Sequence, residues 1–180
     1  MTRTKFCSTL FALAGALVLA ALPGRLAAQS DGMYVRYNPG TGNRAFVTPE
    51  AAATGTGMLE NPAPRVVLMA RCRGENCKPT EFWLEIVRTS GDMTMQGAYA
   101  PLSIMAGTVS MRWDQPEYEA EQAGLGMTRE RVRVLLTVEQ VRALAEAREV
   151  FGRIGLVRDF SVKPEGLRIF SMMAATLSSQ

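Results

Sequence analysis

Along much of the chain, apolar and polar residues alternate at every second position, the period of a half-buried strand. Over Glu81–Thr89, Phe82, Leu84 and Ile86 share one parity, while Glu85 lies on the other with Trp83 and Val87. Arg65–Cys72 carries the unbroken run Val66, Val67, Leu68 and Met69, which predicts a buried strand. Met33–Asn38 and Arg44–Thr48 flank Pro39-Gly40-Thr41-Gly42, the pattern of a β-hairpin. Met93–Met95, Thr108–Asp114, Glu117–Glu121 and Arg129–Leu136 predict further strands. Gly91-Asp92, Asp114–Pro116 and Gly124–Gly126 mark the turns between them. Pro49–Pro64, rich in Ala, Gly, Thr and Pro, predicts a loop or a surface crossing.

The period changes at Thr137. Thr137 followed three residues later by Gln140 is a capping box, and Val138, Val141, Leu144 and Ala145 then form one apolar helical stripe over about 138–147. Arg148–Ile154 and Leu156–Val162 return to strand patterning around Gly155. Pro164 suits the first position of a final helix over about 164–177, with Leu167, Phe170, Ala174 and Leu177 on its apolar face. The expected class is α+β: a mainly antiparallel sheet with a short inserted helix and a C-terminal helix, the sheet burying one face against them.

The N-terminus follows a different pattern. Arg3 and Lys5 precede the apolar run Phe6–Leu22, Pro23-Gly24 breaks it, and Leu26-Ala27-Ala28 offers small residues before Gln29. That order predicts a secretory signal peptide over residues 1–28, with 29–180 as a single exported domain. Within that domain, 29–64 forms an N-terminal hairpin and loop, and 65–180 the main body. The alternative is an uncleaved anchor, because the run is just long enough to span a bilayer. Removal of 1–28 takes Arg3, Lys5 and Arg25 from the 20 basic residues and none of the 17 acidic ones. Equal numbers of each sign remain, so the basic whole-chain pI gives no footing for nucleic-acid binding. Fifteen arginines then stand against two lysines, a coding bias of GC-rich bacterial genomes. After Gln29 no apolar run approaches membrane-spanning length.

Export sets the expectation for cysteine. Cys72 and Cys77 are an even pair in an oxidising compartment and predict a disulfide between adjacent strands, stabilising by about 2 kcal/mol. The chain has no histidine. Triads built on imidazole, Cys-His catalysis and His-ligated zinc or haem are thereby excluded. No cofactor or metal is expected.

Several side-chain groups bear on chemistry. Met93, Met95, Met172 and Met173 invite a copper(I) reading, and core packing is the simpler account. Asp114, Glu117, Glu119 and Glu121 are the densest acidic stretch, open to calcium binding, to paired-carboxylate glycoside hydrolysis, or to plain solvated charge. Trp83, Trp113, Tyr99 and Tyr118 offer aromatic faces for a glycan or peptide, or for the core. The charges themselves are spaced by two: Glu117, Glu119 and Glu121, then Arg129, Arg131 and Arg133. A hairpin about Gly124–Gly126 sets Glu121 opposite Arg129, Glu119 opposite Arg131, Glu117 opposite Arg133, and Tyr118 opposite Val132 on the core side. The rival reading is an arginine stripe that binds a partner or an anionic envelope polymer.

No motif names a family. The expected function is a small exported, disulfide-stapled, non-catalytic binding or structural module of the bacterial envelope, held to an unknown protein or envelope component. The alternatives are a carboxylate-dependent hydrolase acting on envelope glycan and a metal or small-ligand carrier.

Overall fold

The computed structural model describes residues 32–93, 95, 100–155 and 158–178. Residues 1–28, expected to be a signal peptide, and Tyr99 lie outside them. The described residues form eleven strands: β1 (Tyr34–Asn38), β2 (Asn43–Val47), β3 (Ala51–Gly55), β4 (Arg65–Arg73), β5 (Glu81–Ser90), β6 (Leu102–Ala106), β7 (Val109–Trp113), β8 (Glu117–Gly124), β9 (Met127–Leu136), β10 (Val150–Ile154) and β11 (Arg158–Val162). Two helices join them, α1 (Val138–Glu146) and α2 (Arg168–Ser178). The protein is mostly antiparallel sheet.

The strand order is β7-β6-β10-β11-β3-β4-β5-β9-β8, with β1 paired to β2 and β2 to β4. β3 is the seam. It pairs with the start of β4, Ala51 opposite Val66, and then with β11, Gly55 opposite Phe160. The loop expected over Pro49–Pro64 is therefore corrected: it holds β3 and a 3-10 turn at Gly57–Leu59. Alanine and glycine have poor strand propensity, and tertiary pairing overrides it here. The two ends of the order, β7 and β8, are consecutive in the chain and separated only by residues 114–116. The short link brings the end of β7 beside the far side of the sheet, where the Trp113 indole Nε1 donates to the Leu135 carbonyl of β9 at 3.1 Å.

There is one main core. Leu68, Phe82, Leu84, Ile86, Val132 and Val134 from one half meet Leu102, Ile104, Ile154 and Phe160 from the other. Val141 and Leu144 of α1 and Ile169, Phe170 and Met173 of α2 complete it. Met95 and Met173 are fully buried there, so these two thioethers serve packing. α1 starts where the capping box requires: Thr137 Oγ1 accepts from the Gln140 amide at 3.2 Å, and Gln140 Oε1 accepts from the Thr137 amide at 2.9 Å.

Other boundaries differ from expectation. β6 was not expected, because Met105 beside Ile104 hides the alternation of Leu102, Ile104 and Ala106. No strand covers Met93 or Met95. Pro164 opens a 3-10 turn at Pro164–Gly166, and the α-helix begins only at Arg168. Cys72 and Cys77 are bonded, with their Cα atoms 5.7 Å apart. The bond ties the end of β4 to the connecting loop and not β4 to β5, since β5 begins at Glu81. Among the described residues no helix is long and apolar enough to cross a membrane.

Candidate functional site

The sequence-derived charge register is the starting point. In the β8–β9 ladder Glu117 faces Arg133, Tyr118 faces Val132, Glu119 faces Arg131 and Glu121 faces Arg129. The side chains then choose partners across three strands. Arg131 bonds Glu119 at 3.2 Å and, diagonally, Glu121 at 2.6 Å. Arg133 bonds Glu85 on β5 at 2.8 Å and lies 3.6 Å from Glu117, with its guanidinium 5.9 Å from the Trp83 ring centroid. Arg129 turns away from Glu121 to Glu50 at 3.6 Å. Each arginine of the stripe thus has a carboxylate partner, and the face presents alternating charge instead of a positive field. Glu119→Arg combined with Arg131→Glu should retain more stability than either single change, by about 0.5 kcal/mol in urea unfolding.

The acidic stretch is paired with arginines. Asp114 is held by Arg112 at 2.8 Å, and Glu117, Glu119 and Glu121 are engaged as above. Among the described residues no group of three or more His, Cys, Asp or Glu side chains could hold a metal ion. Trp113 and Tyr118 pack against the main core, and Trp83 lies under Arg133.

A second charged feature was missed in the sequence. Arg88 of β5 and Glu130 of β9 sit at core parity, opposite one another, and both are buried. Glu130 Oε1 accepts from the Tyr118 hydroxyl at 2.8 Å and from the Met95 amide at 2.9 Å. Arg88 Nε donates to the Pro62 carbonyl at 2.9 Å, and Nη1 reaches Ser90, Asp92 at 3.4 Å and Glu130 at 3.8 Å. This node pins the loops before β4 and after β5 to the sheet. A depression of about 310 Å³ borders it, lined by Pro62, Arg65, Val87, Arg88 and Arg129 among others.

The outward surface with the anatomy of a docking patch lies on the other half-sheet. On β6, β7, β10 and β11 the inward parity holds Leu102, Ile104, Met111, Val150, Ile154 and Phe160. Gly152 shares that parity, and the Phe160 ring occupies the space its side chain would need: a Cβ there would lie 2.0 Å from the ring. The outward parity forms two rows. Ser110, Met105, Phe151 and Ser161 stand side by side across four strands, and so do Arg112, Ser103, Arg153 and Asp159. Met105 is 52% exposed and Phe151 44%. The charged row closes one side of a shallow depression of about 580 Å³. Arg153 grips Asp159 with two bonds, Nε to Oδ1 at 2.5 Å and Nη2 to Oδ2 at 3.0 Å. That fork pushes the Asp159 carboxyl down and the Arg153 guanidinium up. Glu139, at the N-terminus of α1, is likewise pushed down by its own backbone amide and by the Thr137 hydroxyl.

No known family, curated protein or solved structure matches the chain.

The depression offers an apolar centre, flanking hydroxyls and a charged margin.

Proposed function

We propose that the protein is an exported, disulfide-stapled binding module of the bacterial envelope that holds a protein partner on the outer face of β6, β7, β10 and β11. The observation that carries this reading is the cross-strand pair of exposed apolar side chains, Met105 and Phe151, bordered by Ser110, Ser161 and the Arg153–Asp159 fork. Burial of Phe151 alone against a partner would contribute on the order of 2 kcal/mol, enough to make it an anchor. The fork gives orientation, since a paired charge at a rim contributes more to specificity than to affinity. Export is supported by the order of charge, apolar run and small residues over 1–28 and by the Cys72–Cys77 bond, which an oxidising compartment maintains.

The test uses the exported protein from its native host. Its intact mass should start near Gln29; a mass that retains Phe6–Leu22 refutes a cleaved signal. The double variant Met105→Thr/Phe151→Thr changes only outward side chains and keeps β-branched residues in both strands. It should stay folded, with an unfolding midpoint close to wild type, while losing at least about tenfold in capture of the partner that the wild-type protein retains from envelope extract. Equal capture by both proteins sinks the reading.

A further inference from the structure

The disulfide frames a second concave site on a different part of the molecule. Arg44 on β2 stands directly opposite Cys72 on β4. The Cys72–Cys77 bond folds the β4–β5 loop back over this position, and Arg44 Nη1 donates to the Glu75 carbonyl of that loop at 2.5 Å. The result is a groove of about 540 Å³ between the loop, β2 and α2. Its apolar lining includes Met33, Phe46, Met172 and Ala175. Its polar margin includes Arg44 and Lys78, and among the described residues no acidic side chain lines it. The Arg44 guanidinium is 5.0 Å from the Phe46 ring centroid, so the cation borders directly on the apolar wall. Neither Arg44 nor Lys78 forms an ion pair with a carboxylate among the described residues. This sets the groove apart from the β8–β9 face, where every arginine of the stripe is matched.

We infer that this groove binds an amphipathic carboxylate, a medium-chain fatty acid, with its chain along Met33, Phe46 and Met172 and its carboxylate between Arg44 and Lys78. The charge complementarity sets the headgroup: two cations that form no ion pair with a carboxylate among the described residues favour one carboxylate and disfavour a cationic or neutral head. The apolar wall sets the tail, and the volume falls within the range of small-molecule sites. The disulfide has a role beyond stability in this arrangement. Lys78 adjoins Cys77, so the bond holds the cationic loop against the strand that carries Arg44. Cutting it releases one of the two cations from the site. This inference does not rest on the Met105–Phe151 face, and either can fail alone.

Sodium decanoate, decanol and decyltrimethylammonium, titrated separately into the oxidised protein by calorimetry, provide the test. Decanoate should bind saturably in the micromolar range, with decanol at least about tenfold weaker and the ammonium not bound. Lys78→Gln, a change at an exposed side chain, should weaken decanoate by about tenfold and leave the unfolding midpoint unchanged. Cys72→Ser/Cys77→Ser should weaken it to a similar degree. Absence of decanoate binding, equal binding of decanol, or unchanged affinity in Lys78→Gln overturns the site. Full affinity in a folded Cys72→Ser/Cys77→Ser protein overturns the role given to the disulfide.

Discussion

Glu130→Ala should cost the protein about 3–5 kcal/mol, the largest loss expected from any single side-chain truncation on the sheet. The carboxylate is fully buried between the Tyr118 hydroxyl, the Met95 amide and the Arg88 guanidinium. Its removal leaves a buried cation with less compensation and two orphaned donors, and each of these costs more than the bond itself contributes. Urea unfolding of the two proteins measures the difference; a loss below about 1 kcal/mol would show that the node is dispensable. The same node predicts an alkaline limb. The Tyr118 phenol is pushed up to about 12, first by burial, then by its bond to Glu130 and by the charge of that carboxylate. Ionisation is therefore easier in the unfolded chain. The contribution is complete below about pH 10 and disappears as pH rises toward 12. For a partly exposed ring it amounts to on the order of 1–2 kcal/mol. Tyr118→Phe should be less stable at neutral pH and should show a flatter stability profile between pH 10 and 12.

Gly55→Ala should be the second large effect, a loss of about 3 kcal/mol where a glycine-to-alanine change in a strand ordinarily helps. A Cβ at position 55 would lie 1.8 Å from the Leu59 carbonyl oxygen and 2.4 Å from its carbonyl carbon. The obstacle is backbone, so no rotamer change relieves it. Leu59 is itself fully buried in the main core, and its 3-10 turn packs against β3 and β11. Displacing it disturbs the seam between the two half-sheets. Gly91→Ala is the control, because its Cβ meets nothing closer than the Gly126 carbonyl at 3.6 Å and should shift stability by no more than about 0.5 kcal/mol. Equal midpoints for the two variants in urea would show that the seam yields freely.

The contrast between Glu121 and Glu130 shows how far local spacing reaches. Glu117, Glu119 and Glu121 could be aligned with the arginines of β9 because one short hairpin relates them, and period two then leaves a single register that also buries Val132. The side-chain partners did not follow from that register. Arg129 left Glu121 for Glu50, which lies on a segment brought alongside by β3. Long flexible arginines choose among acids on any neighbouring strand, and strand order is a tertiary property. The Arg88–Glu130 node had a signal in the sequence: a charge of each sign at core parity in two strongly alternating strands. It became readable only once β5 and β9 were known to be adjacent, since an unpaired buried charge would count against either strand.

What the sequence determined by itself was local: the α1 capping box, the alternation of β5 and β9, the β8–β9 turn and the short cystine loop. Each depends on residues within about ten positions of one another, where propensity and spacing act directly. The tertiary structure decided the rest. β3 is a strand only because β4 and β11 offer it hydrogen-bond partners on both edges. The Met105–Phe151 row exists only because β6 and β10, more than forty residues apart, lie side by side. The groove beside Lys78 needs α2, from the far end of the chain, to supply its other wall. Closure of such contacts is decided by the sum of burial over the whole core, and no window of sequence contains that sum.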